Sequence, residues 1–476
     1  MRNDAGVNGD AQRIEQIVWL LFLKVYDAKE EIWEFHDDDF RSIIPEPLRW
    51  RNWAIDEKDG EARTGESLLN FVNEELIPSL KNIEVDEHTP ISKAIVTFVF
   101  EDTYNYMKDG VLLRQVINVI DGIDFTDHKE RHNFNDIYEQ ILKELQNQRS
   151  SGEYYTPRAV TDFMVQMIKP QLGERIADFA AGTGGFLTSS LNFLEKQVNS
   201  VEDKELYNES VFGIEKKALP HLLSITNLLL HDIDNPFIIH GNSLEKNVRD
   251  YTEKDRFEVI LMNPPYGGSE KDNIKMNFPI ELRSSETADL FMSVIMYRLK
   301  QNGRVGVVLP DGFLFGTDNS KVAIKEKLFE EFNVHTIIRL PRSVFAPYTS
   351  INTNILFFDK THTTEQTWFY RLDMPAGYKN FSKTKPIKLE HLQPVMDWWY
   401  DRKEIIVDDF FKSKKYTSEE IIDRNYDLDL CGFPKEEENI LEPRELMENY
   451  QEEREQLNKQ IDNILIDIHQ LLGGKN

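Results

Sequence analysis

Six short runs of β-branched and apolar residues recur along the middle of the chain: Arg175–Phe179, Val211–Glu215, Phe257–Met262, Arg304–Leu309, Val334–Leu340 and Thr353–Phe358. Helix-patterned stretches separate most of them. Strands that alternate with helices predict an α/β fold, a mostly parallel sheet covered on both faces. The last two runs are only a dozen residues apart, with Pro341 and Pro347 between them. That leaves no room for a crossover helix, so the pair is expected to form an antiparallel hairpin. Asn302-Gly303 is expected to end a helix beginning near Asp289 and to lead into the run at Arg304.

No strand-like run precedes this region. Ile14, Ile17, Leu20 and Leu21, and later Ile137, Ile141, Leu142 and Leu145, have helical spacing. After Ser382 the sequence becomes irregular and charged, and it ends in Leu457, Ile461, Ile464, Ile468 and Leu471 at alternating spacings of 4 and 3. That pattern suits either a coiled-coil seam for a partner or an amphipathic helix folded onto its own chain. The expected organisation is an all-helical domain over 1–148, an α/β domain over 149–400, and a tail with a terminal helix over 401–476. No internal repeat is evident.

At 476 residues, with 40% hydrophobic and 29% charged side chains, the chain is expected to be globular. The apolar stretch Ile17–Leu23 is far short of the roughly 20 residues of a membrane span, and no secretory signal is evident, so a cytoplasmic protein is expected. Cys431, the only cysteine, is expected to be a reduced thiol. His221, His231, His240 and His335 lack ligand spacing, and no metal is expected. A net charge of −27 argues against a protein that grips nucleic-acid phosphates unaided. Such a role would need local positive charge or a partner.

Two constellations carry chemistry. Asp178-Phe179-Ala180-Ala181-Gly182-Thr183-Gly184-Gly185-Phe186 lies where a strand gives way to a helix, the place where an open α/β sheet binds nucleotide-like ligands. Its spacing is neither the dinucleotide fingerprint nor a phosphate loop, since no lysine follows the glycines. A turn that merely needs glycine is the plain alternative. Glu215, at the next strand tip, can accept ribose hydroxyls, and Asn242 can meet an adenine or serve an ordinary turn. The second constellation, Asn263-Pro264-Pro265-Tyr266, follows an apolar strand. Two prolines fix the backbone and remove two donors. Asn263 Oδ1 and the Pro264 carbonyl can then accept the two N–H bonds of an exocyclic amine, while Tyr266 stacks on the ring that bears it. A rigid turn is again the alternative. Gly267–Thr287, with Lys271, Lys275 and Arg283, suits a loop over that site or a surface excursion.

These two motifs resemble the signature pair of amino-group DNA methyltransferases. Gly152-Glu153-Tyr154-Tyr155-Thr156-Pro157-Arg158 precedes the glycine turn and resembles the cofactor motif of the gamma subgroup, whose members methylate adenine N6. Gln12–Gln16 with Leu20–Lys24, Val307–Gly312 and Phe345–Thr349 are similar to the modification (M) subunit of type I restriction–modification systems. Phe179 stands where many relatives have proline, and Asn242 where an acid is common. The resemblance implies a Rossmann-like methyltransferase sheet over 149–400 and S-adenosyl-L-methionine as cofactor. It assigns Glu153, Tyr154, Tyr155, Thr156, Pro157, Arg158, Asp178, Ala180, Gly182, Thr183, Gly184, Gly185, Phe186, Glu215 and Asn242 to the cofactor. Asn263, Pro264, Pro265 and Tyr266 become catalytic, and Tyr266 and Phe345 sandwich a flipped adenine, with a core phenylalanine as the alternative at 345.

The implied partners are double-stranded DNA, a specificity (S) subunit that reads sequence, a second M subunit and a restriction (R) subunit, in a bacterial or archaeal cytoplasm. A specificity partner would answer the charge problem, and the terminal helix is the natural place for it to dock. A methyltransferase acting on a protein glutamine amide shares the Asn-Pro-Pro-Tyr logic, and a noncatalytic scaffold shares the fold. Neither accounts for the helical region and terminal heptads together with intact motifs.

Overall fold

The computed structural model describes residues 1–56, 62–86, 89–126, 134, 138, 156–346, 349 and 351–434, and scattered positions from 447 to 465. The chain divides into two compact units, Met1–Gly432 and Phe433–Asn476.

The first unit is built on a ten-stranded sheet. Its strands in chain order are β1 (Ile176–Asp178), β2 (Val211–Glu215), β3 (Ile238–His240), β4 (Phe257–Met262), β5 (Leu299–Pro310), β6 (Asn333–Arg339), β7 (Thr353–Asp359), β8 (Gln366–Arg371), β9 (Ile405–Val407) and β10 (Phe410–Thr417). Their spatial order is β3-β2-β1-β4-β5-β7-β6-β8-β10-β9. The first five are parallel neighbours. The strand order reverses at β1, which has β2 on one side and β4 on the other, so a crevice opens at the carboxyl ends of β1 and β4.

Burial follows the two-residue period of a strand. Val259 and Leu261 join one core cluster, while Ile260 and Met262 join another. Both faces of β4 are therefore covered, as a parallel sheet requires. The first cluster is continuous with the helical N-terminal region: Trp19, Phe22, Trp50 and Phe100 share it with Phe163, Leu187 and Leu228. Its main element is the 28-residue helix Gly9–His36. Lys29 on that helix pairs with Asp232 at 2.8 Å and Asp234 at 3.1 Å, ahead of β3.

The expected hairpin is present, and β7 inserts antiparallel between β5 and β6. Two features differ from the sequence reading. The helix Thr287–Arg298 ends before Asn302, and β5 begins at Leu299 with a register shift, so Asn302 (φ +64°) and Gly303 form an irregularity within the strand. The sheet also gains β8, which is not among the six runs read from the sequence, and β9 and β10, which lie in the stretch after Ser382 read as irregular and charged.

Gly267–Thr287 is pinned to the body. Phe278 and Leu282 are buried, and the Asn277 amide donates to the Leu244 and Glu245 carbonyls at 3.0 and 2.8 Å. Among the described residues, no helix is long and apolar enough to cross a membrane. In the second unit the described residues from 447 to 465 are helical, and Leu457, Ile461 and Ile464 are exposed. Ile468 and Leu471 fall outside the described residues.

Candidate active site

β1 and β4 run parallel in the register Ala177↔Ile260, so the turns that follow them open on one edge. Asp178 is the last residue of β1 and is only 2% exposed. Its Oδ1 accepts the Ala180 N–H at 3.0 Å. Burial pushes its carboxyl up to about 8 and the charge of Glu215 adds to this, while the Ala180 hydrogen bond opposes it.

The glycine turn is a tight reversal. The Ala181 N–H donates to the Ile214 carbonyl on β2 at 3.0 Å, and the Gly184 N–H to the Ala181 carbonyl at 2.8 Å. Gly182 and Gly184 have φ of +54° and +80°, a region that side chains with a Cβ disfavour. The helix Gly185–Leu194 starts immediately afterwards, with Phe186 buried in its first turn. Asn227, buried on the helix Ala218–Leu230, donates Nδ2 to the Thr183 carbonyl at 3.1 Å. Sequence reasoning missed this residue; its only signal was a polar side chain interrupting an apolar run.

Glu215 is held by the turn it borders. Its Oε2 accepts the Gly182 N–H and its Oε1 the Lys217 N–H, each at 2.8 Å. The Gly241 N–H reaches the Glu215 carbonyl at 2.9 Å, which brings Asn242 to the same edge. Asn242 Oδ1 accepts the Leu244 N–H at 3.1 Å, the ordinary-turn role that the sequence left open.

Asn263 follows β4 directly. Its Nδ2 donates to Thr156 Oγ1 at 2.9 Å, and its Oδ1 accepts from the Tyr266 hydroxyl. Pro264 is buried and Pro265 exposed. Tyr266 and Phe345 are both buried and meet edge to face, with centroids 6.4 Å apart and planes at 89°. In this arrangement the two rings touch each other and leave no slot for a third.

Thr156 and Pro157 lead into the helix Arg158–Ile168. Arg158 Nη1 donates to the Gly185 carbonyl and to Thr188 Oγ1, both at 2.6 Å, which ties this helix to the one after the glycine turn. Glu153, Tyr154 and Tyr155 lie outside the described residues. The fold thus gathers Thr156, Asp178, Gly182, Glu215, Asn242, Asn263, Tyr266 and Phe345 onto elements that meet at one edge of the sheet.

The family model for N-6 DNA Methylase matches residues 129–440, and that for the HsdM N-terminal domain matches residues 1–120. The chain belongs to the N-6 DNA methylase family. Within it, the chain is 48% identical over 480 residues to the type I restriction enzyme EcoEI methylase subunit of Escherichia coli, covering 98% of this chain and 95% of that one. It is 29% identical over 410 residues to the StySPI methylase subunit of Salmonella potsdam, covering 80% and 70%. Among solved structures, it resembles a modification subunit of a putative type I restriction enzyme from Vibrio vulnificus, with a TM-score of 0.78, 40% identity and coverage of 88% and 90%. A chain from a study of complex assembly and conformational transition of the type I R-M system gives a TM-score of 0.81 at 32% identity, covering 100% and 96%. The activity of an N-6 DNA methylase is methyl transfer to DNA, and methyltransferases of this kind generally use S-adenosylmethionine.

Proposed function

We propose that this chain is the modification subunit of a type I restriction–modification assembly, and that it methylates adenine N6 in double-stranded DNA with S-adenosylmethionine. The observation that carries this reading is the position of the Asn263–Tyr266 tetrapeptide. It lies at the carboxyl end of β4, beside the glycine turn at the carboxyl end of β1.

The residues present fit the cofactor. Two carboxylates, Asp178 and Glu215, border the turn, suited to a cationic group and to ribose hydroxyls. The space at Gly182 is open, the nearest atom to an added Cβ being the Ala180 carbonyl oxygen at 4.0 Å. The cofactor supplies an electrophilic methyl group on a sulfonium sulfur. The protein's own part is to hold the amine. A carbonyl oxygen has two lone pairs, so Asn263 Oδ1 can keep the Tyr266 hydroxyl and still accept one N6–H, while the Pro264 carbonyl takes the other. The adenine has to leave its stack to reach them. For the base to be stacked, the Tyr266–Phe345 pair must open, and Tyr266 then covers one face of the ring with Phe345 opposite. Positioning and electrostatic complementarity, rather than acid–base chemistry, supply most of the rate.

Relatives named as subunits of restriction enzymes imply that this chain works beside others. The proposed partners are a specificity subunit that reads the DNA, a second modification subunit and a restriction subunit. The test is transfer of a tritiated methyl group to DNA by the chain assembled with its specificity partner. Asn263→Ala is expected to lower transfer by at least about 100-fold while cofactor binding persists. Normal turnover by that variant would remove the role given to Asn263.

A further inference from the structure

Thr156 was assigned to cofactor binding by its place in an N-terminal motif, yet the polar contact it makes in the structure is with the base-capturing residue. Its Oγ1 accepts Asn263 Nδ2 at 2.9 Å across 107 positions of sequence. The threonine is not free to drift. Pro157 starts the helix Arg158–Ile168, its carbonyl taking the Val160 and Thr161 N–H groups at 2.8 and 3.2 Å, and Arg158 ties that helix to Gly185 and Thr188. A β-branched side chain has few rotamers, so the anchored backbone leaves Oγ1 few positions to occupy.

What the anchored backbone does not set is the hydroxyl hydrogen, and on this the direction of the Asn263 amide depends. An asparagine amide has two nearly isosteric orientations. With Nδ2 toward Thr156, the oxygen is presented to Tyr266 and to any amine that arrives. With the amide turned over, Nδ2 would face the pocket and oppose the N–H bonds of adenine. Both neighbours of the amide, Thr156 and Tyr266, are hydroxyls, which can donate or accept. Either orientation can therefore be satisfied while the threonine hydrogen is uncommitted. Once that hydrogen is drawn elsewhere, Thr156 can only accept, and the amide has only one way to face.

We propose that Thr156 is a positioning residue whose hydroxyl, on donating to the amino-acid carboxylate of the bound cofactor, locks Asn263 with its oxygen toward the target amine. The hydrogen bonds then run one way, from amide to threonine to carboxylate, and productive base capture becomes conditional on a loaded cofactor site. This rests on the adenine-methylation reading above.

The experiment uses the full chain assembled with its specificity partner, and a duplex carrying the sequence that this complex methylates. Capture is read, without turnover, from permanganate oxidation of the thymine left unpaired opposite the target adenine, with and without S-adenosylhomocysteine. For the wild type, S-adenosylhomocysteine is expected to raise that reactivity. Thr156→Val is expected to lose the cofactor-dependent increase and to transfer methyl about 10- to 100-fold more slowly at saturating S-adenosylmethionine, with cofactor affinity weakened by no more than about tenfold. Thr156→Ser, which keeps the hydroxyl, is expected to restore both readouts, and Thr156→Ala serves if the valine variant does not assemble. If saturating cofactor returns the valine or alanine variant to the wild-type rate and reactivity, Thr156 is a cofactor contact alone and the relay is wrong. If the wild-type complex itself moves no methyl group to adenine, it is the methylation reading that fails.

Discussion

Asp178 ties stability to pH through its burial, and on the proposed reading it ties cofactor binding to pH as well. An aspartate in the unfolded chain titrates near its ordinary value of 3.8, whereas burial pushes the folded group up to about 8. Between those values the folded protein holds a proton that the unfolded chain has released. The contribution of this group to stability is therefore full below about pH 4 and is lost progressively as pH rises toward 8. Asp178→Asn removes that dependence, so its melting temperature is expected to exceed the wild-type value by a few degrees near pH 8 and to match it near pH 4. Ligand binding has the opposite preference. A cationic group from the cofactor needs the carboxylate, so binding expels the proton, and affinity should rise by up to tenfold per pH unit until it flattens above about pH 8. Titration calorimetry from pH 6 to 9, in buffers of different ionisation enthalpy, measures both the slope and the proton released. A flat profile for the wild type would mean that Asp178 does not meet a cation.

At the scale of elements, the turn after β1 depends on a residue that sequence motifs do not reveal. Arg298, in the last turn of the helix Thr287–Arg298, is 4% exposed, and its guanidinium lies 4.2 Å from the ring of Phe179 and 4.8 to 5.2 Å from Tyr251, Phe257 and Phe212. Its Nε donates to the Asp255 carbonyl at 3.0 Å, and burial pulls its pKa down to about 10. This gives a physical reason for phenylalanine beside Asp178, since the ring roofs a buried cation that spans β1, β2 and β4. Arg298→Ala is expected to cost about 3 kcal/mol of stability in urea unfolding, through the lost cation–π contacts and the cavity left among four rings. Arg298→Lys should recover only part of this, because an ammonium lacks the planar stacking surface. Legibility divides along the same line. β1, β2, β4, the β6–β7 pair and both motifs could be read because each is local: a short apolar run, a glycine turn, two prolines after a strand. β8 and β10 could not be, because Gln366–Arg371 and Phe410–Thr417 mix polar and apolar residues; β8 gains its order from β6 and β10, dozens of positions away, and β10 from β8 as well as from its hairpin neighbour β9. Asn227, Arg298 and the Thr156–Asn263 bond were hidden for the same reason: each role is defined by a partner dozens of positions away.

The whole chain carries a net charge of −27, an unfavourable balance for a protein that has to approach DNA phosphates. A methylase with this charge needs either locally concentrated positive charge or another chain to supply it, and the second unit carries the features of a docking element. Its described residues from 447 to 465 are helical, with Leu457 57%, Ile461 53% and Ile464 58% exposed. Apolar side chains repeated at this spacing on a helix are costly to leave in water, and a seam with another helix is the usual way to cover them. Sequence left two readings open, a fold-back onto the chain itself or a seam for a partner, and the proposed assembly with a specificity subunit supplies the seam with its partner. Truncation after Leu441 is therefore expected to abolish co-purification with the specificity subunit, while calorimetric affinity for S-adenosylhomocysteine stays within about twofold of the full chain, since every described residue proposed for the cofactor lies in Met1–Gly432. Changing Leu457, Ile461 and Ile464 together to aspartate should have the same effect at full length, because buried charge in a helical seam is strongly unfavourable. An intact complex after either change would place the docking surface in the first unit and return the terminal heptads to a role within this chain.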